Sequence, residues 1–316
     1  MGATSAITAS GLTKSFGPLA VLRSVDLDVP AGTVFALLGP NGAGKTTIVR
    51  ILTALSRPDA GTASVAGFDI SSQRHDLRRA ISLTGQSMAI DELQTGQETL
   101  YMMGRLWGLS RKRARRRADE LLERFGIADA ANRRVGTYSG GMRRRLDLAA
   151  SLVAEPAVIF LDEPTTGLDL PSRQTMWAII EDQPRRGTTV FLTTQYLEEA
   201  DSLADRVAVL HQGTVVAQGT PDELKARVGT ERLRVTFANP ADCDESLRLL
   251  QAQHPSVDAA HRSIEVDTDG TAAGARALLD TIDPDRHKVV RFELRRPTLD
   301  DVFLSYTGNG PGPGCP

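Results

Sequence analysis

Gly39-Pro40-Asn41-Gly42-Ala43-Gly44-Lys45-Thr46-Thr47 is the stretch that decides the fold. It fits the phosphate-binding-loop pattern G-x-x-x-x-G-K-[ST], and its flanks are those the pattern needs. Residues 33–38 (TVFALL) form a short apolar run suited to a strand buried on both faces, and residues 46–55 carry helical spacing. The glycines let the backbone curl so that successive N–H groups face a polyphosphate, and the helix start adds positive potential. In that arrangement Lys45 reaches the β- and γ-phosphates and the Thr46 hydroxyl is a Mg²⁺ ligand. The whole stretch is the candidate site for the phosphates of a nucleotide.

On either side of this loop, strand and helix patterns alternate. Residues 20–29 (AVLRSVDLDV) alternate apolar and polar before a Pro30-Ala31-Gly32 turn, and residues 62–65 and 81–84 are further short strands. From about 95 to 126 the pattern is helical and includes RKRARRR at 111–117, followed by another helix from 141 to about 153. Residues 157–161 (AVIFL) and 188–192 (TTVFL) read as central strands, with a helix from about 172 between them and a hairpin at 207–217. The expected fold is α/β: a mostly parallel sheet covered by helices, an antiparallel β part at the N-terminus and a helical insertion at about 87–155. That domain spans 1–228. Residues 229–307 read as a small α+β domain, with strands at 233–237, 264–266 and 289–294 and helices near 246–253 and 271–282. A strand near Val257 would complete a split β-α-β unit. Residues 308–316 read as a disordered tail.

Two more motifs carry chemistry. Asp162 and Glu163 end the apolar run VIFLDEP, and carboxylates at the end of a central strand lie beside the phosphate loop in a doubly wound sheet. Asp162 can hold Mg²⁺ through water, and Glu163 can polarise an attacking water. Ser139-Gly140-Gly141 opens a helix, exposing free N–H groups and a hydroxyl as a second anion site.

Composition narrows the partners. The chain has 316 residues, enough for about two domains, with 41% hydrophobic and 24% charged residues. Lys plus Arg number 37 against 39 Asp plus Glu, a net charge of -2, which argues against a nucleic-acid partner. The basic run at 111–117 has Asp119, Glu120 and Glu123 within helical reach and reads as a solvated face. Two cysteines exclude a disulfide framework, and the histidines show no ligand spacing. No apolar run has the length of a membrane span and no signal-peptide pattern opens the chain, so any membrane role is expected to come through a partner.

The order of the phosphate loop, Gln86, Ser139-Gly140-Gly141-Met142, Leu161-Asp162-Glu163-Pro164 and Gly167-Leu168-Asp169 resembles an ATP-binding-cassette (ABC) ATPase over about residues 5–225. TYSGGMRRRLDLAASLVAEP (137–156), TTQYLEEAD (193–201) and PTLDDVFLSYTG (297–308) resemble one branch, the daunorubicin-resistance type of drug exporter ATPase. The resemblance implies that Phe16 stacks on adenine, in a place where Tyr is more usual. It implies that Gln86 touches Mg²⁺ and water and that its loop meets a transmembrane partner. Ser139, Gly140 and Gly141 match the signature that closes on the γ-phosphate held by a second copy, and Asp169 matches the residue coupling the two sites. Gln195 stands where most such ATPases have His. An amide can donate a hydrogen bond to the γ-phosphate but cannot carry the proton, so hydrolysis is expected to lack a histidine titration near neutral pH.

The family likeness further implies a homodimer, a separate integral-membrane permease, a peripheral place on the cytoplasmic face of the membrane, and a drug or lipophilic natural product as cargo. The C-terminal module, with Leu299-Asp300-Asp301-Val302-Phe303, would help dimerise or hold the partner. The alternatives are an ABC ATPase exporting lipid or polysaccharide, or a soluble one acting on ribosomes or DNA.

Overall fold

The computed structural model describes residues 4–85, 90–229, 231–251, 255–258 and 262–308. The chain divides into two compact units, Met1–Pro221 and Asp222–Pro316. The first opens with β1 (Ser5–Phe16), β2 (Leu19–Pro30), β3 (Val34–Leu38), α1 (Lys45–Leu52), β4 (Ala60–Val65), β5 (Phe68–Asp69), α2 (Arg74–Ala80) and β6 (Ile81–Thr84). It continues with α3 (Gly96–Leu106), α4 (Arg111–Arg124), α5 (Gly140–Ser151), β7 (Val158–Asp162) and α6 (Leu170–Arg185). It ends with β8 (Thr189–Thr194), α7 (Leu197–Leu203), β9 (Arg206–His211) and β10 (Thr214–Gly219).

The main sheet runs β10-β9-β3-β8-β7-β6 and is parallel except for the β9–β10 hairpin. A second sheet, β2-β1-β4-β5, is antiparallel throughout. The expected architecture is therefore present, with β1 as a long strand that the sequence pattern had not separated. Strands β3, β7 and β8 are buried along their whole length, as strands covered on both faces must be. Helix α1 lies in a core shared by both sheets, where Ile48, Val49, Ile51 and Leu52 join Leu12, Val25, Phe35, Phe160 and Phe191. Because β3, β6, β7 and β8 are parallel, their C-terminal ends emerge on one edge, and every loop that follows them starts there.

The second unit contains α8 (Pro221–Val228), β11 (Arg232–Phe237), α9 (Pro240–Leu249), β12 (Ser256–Asp258), β13 (Ser263–Asp267), α10 (Ala272–Ile282), β14 (Val289–Arg295) and α11 (Leu299–Thr307). Its antiparallel sheet runs β12-β13-β11-β14 around a small core of Leu233, Val235, Phe237, Ile264 and Val266. The strand expected near Val257 is β12. The helix expected near 246–253 lies earlier, because Pro240 presets helical φ at its first turn and Asn239 precedes it as N-cap. The tail from 309 on lies outside the described residues.

Helix α5 is bolted to the main sheet by one buried side chain. Arg144 donates from Nε to the Pro164 carbonyl (2.8 Å) and from Nη1 to the Gly85 carbonyl (2.9 Å). Its Nη2 sits 3.5 and 3.4 Å from the carbonyls of Asp162 and Glu163. Asp147, one turn on, lies 3.4 Å from Nη1. Burial pushes the Asp147 carboxyl up to about 6, and the Arg144 charge offsets only part of that. A carboxyl whose folded value exceeds its unfolded value stabilises the fold below about pH 4 and loses that contribution as pH rises through about 6. Asp147→Asn removes the titration. Its thermal stability relative to wild type is expected to improve by about 1–3 kcal/mol between pH 4 and pH 7. A difference that stays constant with pH contradicts this.

Candidate functional site

The phosphate loop begins where β3 stops. Gly39 N–H donates to the Thr194 carbonyl (3.2 Å), which fixes the loop's entry against β8. A Cβ on Gly39 would lie 2.5 Å from the Leu210 carbonyl oxygen, so no other residue fits there. Gly44 caps α1 at φ 111°, a conformation that L side chains rarely adopt, and a Cβ there would meet Leu22 Cδ2 at 2.7 Å. Pro40, Asn41 and Gly42 form the open rim of the loop, whereas Ala43, Gly44 and Lys45 are buried and Thr47 is half-buried.

Lys45 is a buried cation, and its ammonium uses three neighbours. It donates to the Gly39 carbonyl (2.8 Å) and the Pro40 carbonyl (3.2 Å) and lies 3.5 Å from Glu163 Oε1. A buried charge has to be paired, and Glu163 is the carboxylate that does it. Glu163 itself sits at φ 51°, an uncommon place for a residue with a side chain. Its N–H donates to the Thr193 carbonyl (3.1 Å) and lies 3.2 Å from the Thr193 hydroxyl, holding the turn that aims the carboxylate at the loop. Asp162, one residue earlier, accepts from Thr193 Oγ1 (2.5 Å) and from Thr46 Oγ1 (3.1 Å). Thus Lys45, Thr46, Asp162 and Glu163 meet at one point on the sheet edge.

Sequence reasoning passed over Thr193, Arg144 and Glu199. Thr193 is fully buried between the two carboxylate-bearing residues; its signal was only a polar residue inside the apolar run TTVFLTT. Buried Glu199 accepts from Thr165 Oγ1 (2.7 Å) and Trp177 Nε1 (3.2 Å), which anchors the turn between Glu163 and Asp169.

The remaining candidates do not join this cluster through any described hydrogen bond or ion pair. Ser139 caps α5, accepting from Met142 N–H (3.2 Å), and it is exposed together with Gly140. Nothing stands within 4 Å of where a Gly140 Cβ would be, so that side of the turn faces open space. Gly141 instead abuts Ser172 on α6, so closely that a Cβ would collide with its hydroxyl. Asp169 caps that same helix, accepting from Ser172 N–H (3.0 Å). Hydrogen bonds from the Ser172 hydroxyl and N–H hold the Asp169 carboxyl below the usual carboxylate range. The signature turn and the Asp169 turn are thus neighbours. Tyr138 is buried and donates to the Ala130 carbonyl (2.6 Å), a packing role.

Gln195 follows β8 directly and is half-buried. Phe16 is 54% exposed at the end of β1, with Lys14 Nζ 5.6 Å from its ring centre. A core strand residue would be covered, so this ring is available for stacking. Gln86 lies outside the described residues; Gly85 before it is the residue whose carbonyl Arg144 holds. Among the described residues no helix is long and apolar enough to cross a membrane.

Comparison with known proteins agrees with this geometry. The family model for ABC transporters matches residues 22–166, and that for the C-terminal domain of DrrA1-3-like ATP-binding proteins matches 219–307. The chain is 49% identical to the daunorubicin/doxorubicin resistance ATP-binding protein DrrA of Streptomyces peucetius, over 97% of this chain and 93% of that one. It is 36% identical to the Nod factor export ATP-binding protein I of Rhizobium sp. (strain N33), over 96% and 97% of the two chains. A solved ATP-binding subunit of an ABC transporter superposes with TM-score 0.64 at 27% identity, covering 71% of this chain and 93% of that structure. The chain belongs to the ATP-binding subunits of ABC transporters, in the daunorubicin/doxorubicin-resistance family of exporter ATPases, and is an ATP hydrolase of that type.

Proposed function

We propose that two copies of this chain close on two ATP molecules, each held by the phosphate loop of one copy and the Ser139 turn of the other. The closing motion would drive export of a drug or lipophilic natural product through a separate membrane subunit. The observation that carries this is the split itself. One chain gathers Lys45, Thr46, Asp162 and Glu163 at one place and leaves the Ser139–Gly140 turn exposed and outside that cluster. The cargo rests on what the relatives are named for, daunorubicin or doxorubicin resistance and Nod factor export. No helix among the described residues spans a membrane, which supports a peripheral chain working on a partner at the cytoplasmic face.

Without nucleotide, Lys45 neutralises Glu163. A γ-phosphate entering the loop competes for that ammonium, with a higher charge and better geometry for hydrogen bonding. Glu163 is then released as a carboxylate able to polarise water at the γ-phosphorus. The Thr46 hydroxyl and Asp162 carboxylate are hard oxygen donors that fit Mg²⁺. Among the described residues no cluster of three acidic, His or Cys side chains could hold a metal alone, so the triphosphate would supply the other ligands, as Mg²⁺ sites in ATPases usually arrange. Mg²⁺ would neutralise charge building on the phosphate oxygens. Gln86 would complete the water's surroundings, Phe16 would stack on adenine, and Asp169 would report closure to the other site. Gln195 would donate its amide to the γ-phosphate.

The latch is strong enough. Hydrogen bonds to a charged acceptor contribute about 1.5–3 kcal/mol each. Two or three at each of two nucleotides exceed the roughly 5.5 kcal/mol that moves an equilibrium from 1:99 to 99:1.

Glu163→Gln is expected to cut ATP turnover by about 10²–10⁴-fold while allowing ATP-dependent dimers to accumulate. Adding Ser139→Ala should weaken the ATP-dependent association at least tenfold, read by sedimentation as the difference between samples with and without ATP. Glu163→Gln chains whose association does not respond to ATP, with Mg²⁺ and the membrane subunit present, would overturn the reading. At Gln195, the wild-type rate should be flat across pH 5.5–8, near the ordinary histidine value of about 6.5. Gln195→His should introduce a titration there, and Gln195→Ala should lower kcat. Equal rates in all three proteins remove the sensor role.

A further inference from the structure

In the second unit the sheet's core face extends past the helices that cover it. Phe292 and Leu294 on β14 stand directly opposite Val235 and Leu233 on β11, and residues opposite one another share a face. Val235 and Leu233 are fully buried, whereas Phe292 is 55% exposed, Leu294 37% and Val290 68%. These three line an open groove of about 600 Å³ beside α10, together with Leu279 and Ala275. β14 is also the last strand of its sheet, and no described segment pairs with its outer edge. An apolar edge strand of this kind invites pairing, and natural sheets usually block such edges.

The sequence of β14, VVRFELR, is complementary to itself. Two copies run antiparallel about a two-fold axis at Phe292 place residue 292+k opposite 292−k. Phe292 then faces its own copy, Val290 faces Leu294, and Arg291 faces Glu293. The apolar set lies on one face and the charged set on the other, so each Arg291 gains a second carboxylate besides the Glu293 of its own chain at 3.9 Å. The bulge between β11 and β14 falls at Val290, at the end of the strand, and leaves 291–295 in regular register. A like-charged pair facing across the axis would have blocked the match. We propose that β14 pairs antiparallel with β14 of a second copy, joining the two C-terminal sheets into one and holding the chains together without nucleotide. This contact would be separate from the ATP-dependent closure, and it stands if that closure fails.

The test is sedimentation of the full-length, nucleotide-free protein in EDTA, conditions under which an ATP-held dimer cannot form. A concentration-dependent dimer is expected. Phe292→Asp, at a half-exposed position, should weaken it at least tenfold with unchanged thermal unfolding. Arg291→Glu alone should weaken it similarly by setting Glu against Glu293 of the other copy, and Arg291→Glu with Glu293→Arg should restore it. In a Cys315→Ser background, Phe292→Cys should form a disulfide with its own copy under mild oxidation. A protein that is monomeric up to its solubility limit, or a dimer indifferent to Phe292→Asp and to the charge exchange, overturns the proposal.

Discussion

The structure turns on a buried ammonium. Lys45 is almost inaccessible to water, so its charge must be met by the loop carbonyls of Gly39 and Pro40 and by Glu163. That need fixes the surrounding design. The loop must curl tightly enough to turn carbonyls inward, which requires glycine at 39 and 44. Glu163 must leave its strand at φ 51°, which requires Thr193 beneath it. Both demands are met because β3, β8 and β7 are adjacent and parallel, so that their ends arrive together. In the proposed cycle, exchange of Glu163 for a phosphate at this cation would both seat the nucleotide and free the carboxylate.

Arg144 extends the constraint outward. Its guanidinium ties the signature helix to the carbonyls of Gly85, Asp162, Glu163 and Pro164, and so binds the segments that follow β6 and β7 to one rigid element. On the far side, Gly141 packs on Ser172, whose N–H is capped by Asp169. Any displacement of the Ser139 turn by a ligand would therefore be felt at the carboxylate turn of the same chain. Rigid contacts of this kind, more than any flexible linker, are what a closing motion can push against.

Much of this was legible in the sequence. The phosphate loop, the apolar strands 33–38 and 157–161, and the carboxylates after them are local patterns with strong periodic or glycine signals. The same holds for the N-cap at Ser139. What escaped was non-local. Thr193 looks like one more β-branched strand residue, and its role exists only because β7 and β8 are in register. Arg144 sits in a run of three arginines, where nothing distinguishes the buried one until the helix face is known. Helix α9 began earlier than its apolar spacing suggested, since Pro240 set the start. The self-complementarity of VVRFELR is visible in the letters, but it has meaning only once β14 proves to be an edge.

The central claim is that one γ-phosphate touches two chains. Vanadate trapped with ADP takes the γ-phosphate's place and, under ultraviolet light, cuts the backbone beside it. The decisive sample mixes tagged Lys45→Ala copies, which hold no nucleotide of their own, with untagged wild type in the presence of the membrane subunit. The account expects the tagged chain to be cut at Ser139 and spared at its own phosphate loop. Scission confined to the phosphate loop of the untagged chain would contradict it.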